Sequence, residues 1–116
     1  MDRRKELKEA YKKTIPDMGV YIIKSSDGRK CLLEATRNIK SGINRSKFTL
    51  DFGSHPNQEL QTEWKIKGQS EFQMDVLEIL EYGRDESQTD YTEELELLKS
   101  MWERRLKNEG MEFFGE

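Results

Sequence analysis

The sequence predicts an α+β domain, and three observations carry that expectation. Gly19-Val20-Tyr21-Ile22-Ile23 and Lys30-Cys31-Leu32-Leu33 are short apolar runs on either side of the turn-forming Ser25-Ser26-Asp27-Gly28, the pattern of a β-hairpin. Four other segments repeat apolar residues at helical spacing. Between the last two of them, Phe72, Met74 and Val76 alternate with Gln73 and Asp75 before Leu77, Ile79 and Leu80, as in a strand buried on at least one face.

Taken in chain order, Arg3 to Thr14 places Leu7, Ala10 and Tyr11 on one stripe and stops near Pro16, because proline disfavours the helical conformation in the residue before it. Residues 1–17 are therefore expected as an N-terminal helix docked on the domain. After the hairpin, a helix from Arg37 carries Ile39, Ile43 and Leu50, with Gly42 as a weak point costing about 1 kcal/mol against alanine. Gly53-Ser54-His55-Pro56-Asn57 breaks the chain, and either Ser54 or Asn57 caps a helix that buries Leu60 and Trp64 and closes at Gly68. The strand at 72–80 follows. Asp90 and Glu93 have capping-box spacing, and Leu95, Leu98, Trp102 and Leu106 form the stripe of the longest helix. The predicted order is αββααβα.

A chain of 116 residues has room for one domain. Its 34% hydrophobic and 37% charged residues imply a small core under a heavily charged surface, yet two Trp, five Phe and four Tyr with a net charge of only −3 oppose disorder. Cys31 is the single cysteine, which excludes an internal disulfide and a thiolate metal site and fits a reducing cytoplasm. The N-terminus is basic with no apolar stretch behind it, so neither a signal peptide nor a membrane partner is expected.

Charge is unevenly placed. Arg29, Lys30, Arg37, Lys40, Arg45 and Lys47 meet only Glu34, whereas ten acids between Glu71 and Glu96 meet only Arg84. Two solvated faces explain this, and so does a positive face for phosphate. His55 has no second histidine to pair with and reads as a turn residue; no glycine-rich phosphate loop or nucleophile elbow is present. Cys31 reads as a buried, inert thiol. Glu96, Lys99 and Glu103 share one helix face, where the lysine neutralises both carboxylates, so no metal site is expected.

The order of these pieces resembles the GIY-YIG nuclease domain in its bacterial members. The resemblance rests on Gly19-Val20-Tyr21 opening the hairpin, Leu32-Leu33-Glu34 in the second strand, the helix entry Asn38-Ile39-Lys40, and the segment Gly53 to Gln61 with Trp64 and Gly68. It covers residues 18–107, leaving 108–116 as a C-terminal tail, and implies a small three-stranded antiparallel sheet flanked by helices. It also implies that Tyr21 stands where the family places a tyrosine near the nucleophilic water. Other family positions have changed. Leu32, Leu33 and Glu34 replace the second Tyr-Ile-Gly, Gly42 replaces the helix arginine, Ser46 replaces a histidine or tyrosine, and Lys99 replaces the metal-binding glutamate.

Phosphodiester cleavage needs an activated water, counter-charge on the phosphoryl oxygens and usually a divalent metal, and the chain retains a candidate for the first alone. The resemblance therefore implies a degenerate, non-cleaving relative that needs no cofactor. DNA or RNA is its expected partner, through Arg29, Lys30, Arg37, Lys40, Arg45 and Lys47. One alternative is a protein-interaction or structural module using the acidic C-terminal half. The other is an active endonuclease with Mg²⁺ or Mn²⁺, in which Arg45 and Glu96 or Glu103 take over the missing roles.

Overall fold

A computed structural model describes residues 15–83 and 87–115, so the helix expected at 3–14 lies outside the described residues. Strands β1 (Met18–Ser25) and β2 (Lys30–Thr36) form the expected antiparallel hairpin, and β3 (Phe72–Leu80) returns antiparallel along the other side of β1. Three helices follow the predicted stripes: α1 (Ile39–Phe52), α2 (Gln58–Lys67) and α3 (Thr92–Asn108). The α+β class holds, with one addition. A two-residue strand β4 (Glu112–Phe113) pairs parallel with the start of β2, giving a four-stranded sheet in the order β3-β1-β2-β4.

Alternation along the two inner strands builds a core on each face of the sheet, because successive side chains point to opposite sides. Tyr21 and Ile23 pack with Ile39 and Leu50 of α1 and Leu60 and Trp64 of α2. Val20, Ile22, Cys31 and Leu33 point the other way, toward Leu98, Trp102 and Leu106 of α3. A one-residue slip of β1 would exchange the two sets, so both cores fix its register. Cys31 is fully buried, and burial pushes its thiol up to about 11, which keeps it protonated and inert at neutral pH.

Between the alternative caps for α2, the structure selects Asn57, whose side chain accepts a hydrogen bond from Leu60 N at 3.1 Å. Asn38 caps α1 in the same way through Ser41 N, and Gly53 ends that helix in the left-handed conformation at φ 78°. The predicted capping box at α3 does not form. Asp90 Oδ1 instead accepts bonds two residues on, from Thr92 N at 3.0 Å and the Thr92 hydroxyl at 2.6 Å, and this Asx turn delays the helix to Thr92. β3 is an edge strand with one side partly open, where Val76 and Ile79 are about half exposed.

Part of the segment 108–116, expected as a tail beyond the domain, supplies core: Phe113 and Phe114, with Met111 packed against the cluster that holds Phe113. Glu112 N donates to Arg29 O and Phe114 N to Cys31 O, so Phe113 enters the α3-side core and Phe114 the opposite one. Among the described residues no helix is long and apolar enough to cross a membrane.

Candidate functional site

Tyr21 lies mid-strand on the central β1 and points at α1, where it is only 3% exposed. Its hydroxyl donates to the Gly42 carbonyl at 3.0 Å and pairs with the Ser46 hydroxyl at 2.7 Å. Since a carbonyl only accepts, the phenol's one proton goes to Gly42 and the Ser46 hydroxyl donates to the phenol oxygen. Burial raises the Tyr21 pKa, the Ser46 hydrogen bond and Arg45 lower it, and the Glu34 carboxylate raises it further; the net shift is upward. A base poised near neutrality is tuned the other way. In this setting the phenol ties strand to helix.

Gly42 is where that tie is made. A Cβ there would lie 2.9 Å from Tyr21 Cε1 and 3.2 Å from Thr36 Cγ2, so the helix approaches the hairpin at a distance only glycine permits. The residue that weakens the helix in isolation therefore sets its packing distance. Gly42→Ala gains up to about 1 kcal/mol in helix propensity but must displace a buried ring. We expect a net destabilisation of about 1–2 kcal/mol in urea denaturation. A stabilised variant would show that the ring gives way freely.

Glu34 sits directly opposite Tyr21 in the β1–β2 register and is partly buried. Burial raises its pKa, the Lys99 ammonium lowers it, and Glu96 and Glu103 raise it again. The stripe Glu96, Lys99 and Glu103 thus acts on the strand position opposite Tyr21, although Lys99 makes no ion pair within 4 Å among the described residues. No group of three potential metal ligands exists among the described residues, and the Lys99 ammonium opposes a cation among these carboxylates.

The structure places the six expected basic residues in two locations. Arg29 and Lys30 stand at the turn end of β2, where Lys30 pairs with Glu59 at 3.0 Å and lies over the Phe114 ring. Arg37 lies about 20 Å further along the chain direction, just beyond the other end of that strand, beside Asn38 and the start of α1. Lys40, Arg45 and Lys47 are exposed on α1. Among the described residues no carboxylate lies within ion-pairing distance of Arg37, Lys40, Arg45 or Lys47. Of these four, Arg37 helps to hold the Asp90 carboxyl low and Arg45 acts on Tyr21.

His55 has the turn role expected of it. Its Nδ1 accepts from Asn57 N at 3.0 Å, its own N–H donates to Gln61 Oε1, and Gln61 Nε2 donates to Leu50 O. The segment from His55 to Gln61 is therefore a clasp between α1 and α2. Burial lowers the His55 pKa below 6.5, and the Nδ1 lone pair that accepts from Asn57 N is one only the neutral ring has. Below about pH 6.5 the unfolded chain binds a proton that the folded chain refuses, so stability falls on acidification through that value. Glu34 acts with the opposite sign: its raised pKa stabilises at low pH and that contribution fades as pH rises above 4.5. We expect urea midpoints to drop between about pH 7 and pH 6, and His55→Gln to remove that slope. An unchanged slope in the variant would assign the dependence to another group.

Sequence reasoning passed over two positions. Phe48 and Phe52 are 62% and 73% exposed on the outer side of α1, with ring centroids 4.7 Å apart. Their departure from the Ile39, Ile43, Leu50 stripe was a signal available in the helical spacing.

The sequence matches no family model, and no curated protein matches it significantly. Solved structures do. A point mutant of the catalytic domain of intron endonuclease I-TevI aligns at TM-score 0.64 and 20% identity, covering 78% of this chain and 84% of that one. A structure described as the catalytic domain of homing endonuclease I-TevI aligns at the same TM-score and 19% identity, covering 85% and 99%. Both come from a GIY-YIG nuclease domain. With its four-stranded sheet and three helices, the chain has the GIY-YIG nuclease-domain fold of these structures.

Proposed function

We propose that this chain is a catalytically degenerate GIY-YIG domain that binds nucleic acid through phosphate contacts and does not cleave it. The observation that carries the reading is the state of Tyr21: buried, donating its proton to a helix carbonyl, and with its pKa raised. Groups of one catalytic unit act together, so losing the counter-charge at Gly42 and the carboxylate at Lys99 removes nearly all activity rather than a share of it. What remains usable is the surface of Arg37, Lys40, Arg45 and Lys47. Nothing near it offers base-edge readout, so binding is expected to be insensitive to sequence and steeply dependent on salt.

The test combines binding and cleavage on one preparation. DNA and RNA oligonucleotides are titrated at two salt concentrations, and plasmid is incubated with Mg²⁺ and with Mn²⁺. We expect salt-sensitive binding that weakens in Lys40→Glu and Arg45→Glu, each reducing the salt slope by about one, together with intact plasmid. Metal-dependent cleavage abolished by Tyr21→Phe would establish an active enzyme with relocated groups. Absence of nucleic-acid binding alongside nuclease-resistant capture of a protein would replace this reading with the interaction module, using the acidic region 71–96.

A further inference from the structure

We infer that the outer face of α1 is a stacking platform for unpaired bases, with Phe48 and Phe52 as the rings and Arg45 and Lys47 as the phosphate contacts. The inference rests on the nucleic-acid reading above and adds a ligand class to it, single-stranded or locally unpaired nucleic acid.

Exposure of these rings is costly for this chain. Its hydrophobic content is 34%, and its other three phenylalanines, Phe72, Phe113 and Phe114, all pack in or against the two cores. Four residues apart, Phe48 and Phe52 share one face of α1, opposite the face that buries Ile39, Ser46 and Leu50. Their rings are stacked at 30°, and each remains more than half exposed. They form a ridge with open aromatic surface.

The charges around the ridge choose its occupant. Arg45 lies three residues before Phe48, on the same outer face, and exposed Lys47 projects about 100° round the helix from Phe48, on the flank of the ridge. Neither cation has a carboxylate partner within 4 Å among the described residues. Asp51, the acid between the two rings in sequence, accepts a hydrogen bond from Trp64 Nε1 at 3.2 Å and is thereby directed toward α2. An apolar protein surface would meet unpaired cations here and leave them desolvated. Single-stranded nucleic acid offers flat π faces for the rings and phosphates for the cations. Bases in an intact duplex have their faces covered by their neighbours, so duplex engages the cations alone.

Fluorescence anisotropy on the full chain tests this with a mixed-sequence single strand and a duplex of the same sequence. We expect the single strand to bind more tightly. The Phe48→Ala, Phe52→Ala double variant should lose about tenfold or more for the single strand and leave duplex binding unchanged. The Phe48→Tyr, Phe52→Tyr variant should retain the preference, and Arg45→Glu should weaken both ligands. Equal binding of both ligands by the parent chain, or single-strand binding untouched in the alanine variant, overturns the inference while the nucleic-acid reading stands. Binding of neither ligand overturns both. A dimer that dissociates in the alanine variant, with single-strand affinity unchanged, assigns the ridge to self-association instead and likewise overturns it.

Discussion

Gly19→Ala is expected to destabilise this chain severely, by above about 4 kcal/mol. A Cβ at that position would lie 2.0 Å from Glu78 O and 3.0 Å from both Glu78 C and Ile79 Cα. All three are backbone atoms of the neighbouring strand, so no rotamer change relieves the clash. Gly19 pairs with Thr36 on one side and Ile79 on the other, next to an irregularity at Val20/Tyr21 that leaves Leu77 without a partner in the register. To admit a methyl group, β3 must retreat from the central strand and give up ladder hydrogen bonds worth about 0.5–1.5 kcal/mol each. It must also open the packing around Met18 and Val20, both 0% exposed. A loss above about 4 kcal/mol is expected, against a total stability of about 5–15 kcal/mol for a domain of this size. Urea denaturation followed by circular dichroism reads this directly. A midpoint within about 1 kcal/mol of the parent would show that β3 is free to shift.

That steric role separates the first glycine of the Gly19-Val20-Tyr21 motif from any chemistry. Much of the motif can be explained as packing: glycine admits β3, valine fills the α3-side core, and tyrosine ties the sheet to α1. Asn57 and Gln61 likewise hold the α1–α2 connection together through Leu60 N, His55 N and Leu50 O. A chain that retains these residues keeps the fold whether or not it cleaves anything. This is why the resemblance in sequence carries the architecture further than it carries the activity.

The elements legible in the sequence are those whose signals are local. Turn chemistry at Ser25 to Gly28 and the stripes of α1, α2 and α3 depend on residues within a few positions of one another, and each appears where periodicity puts it. The α3 cap was misplaced because Asp90 satisfies two competing local patterns, and the Asx turn to Thr92 wins over the box with Glu93. The site was less legible. The family resemblance implies that Gly42 stands in place of an arginine, but only the packed structure shows the Tyr21 ring in the space a side chain there would need. The influence of Lys99, Glu96 and Glu103 on Glu34 spans more than 60 residues of chain and has no local signature. Neither does β4, whose two residues pair with a strand some 80 positions earlier.

Phe114→Ala tests that long-range element, and its expected cost is about 3–5 kcal/mol. Phe114 is 4% exposed and packs in the cluster of Leu60 and Trp64, with its ring 6.4 Å from that of Phe72 and beneath the Lys30 ammonium at 5.9 Å. Its backbone is held on both sides, N–H to Cys31 O and C=O from Asn57 Nδ2, each at 3.0 Å. Those anchors keep the segment in place when the ring is removed, so the surrounding side chains have little freedom to fill the cavity, and the cost falls toward the upper end of the range. Asn57→Ala should weaken the same segment, losing a helix cap and the bond to Phe114 O for about 2 kcal/mol. Combined, the two substitutions should cost less than their sum, because each removes part of what the other was holding. Denaturant midpoints for the single and double variants give that coupling. A loss under about 1 kcal/mol for Phe114→Ala would mean that the domain closes without its last residues and that its boundary falls near 107. The expected loss instead makes the C-terminal segment part of the folding unit, fastened to the turn end of the hairpin and therefore to Lys30 and Glu59. Lys30 is then held against the core it covers.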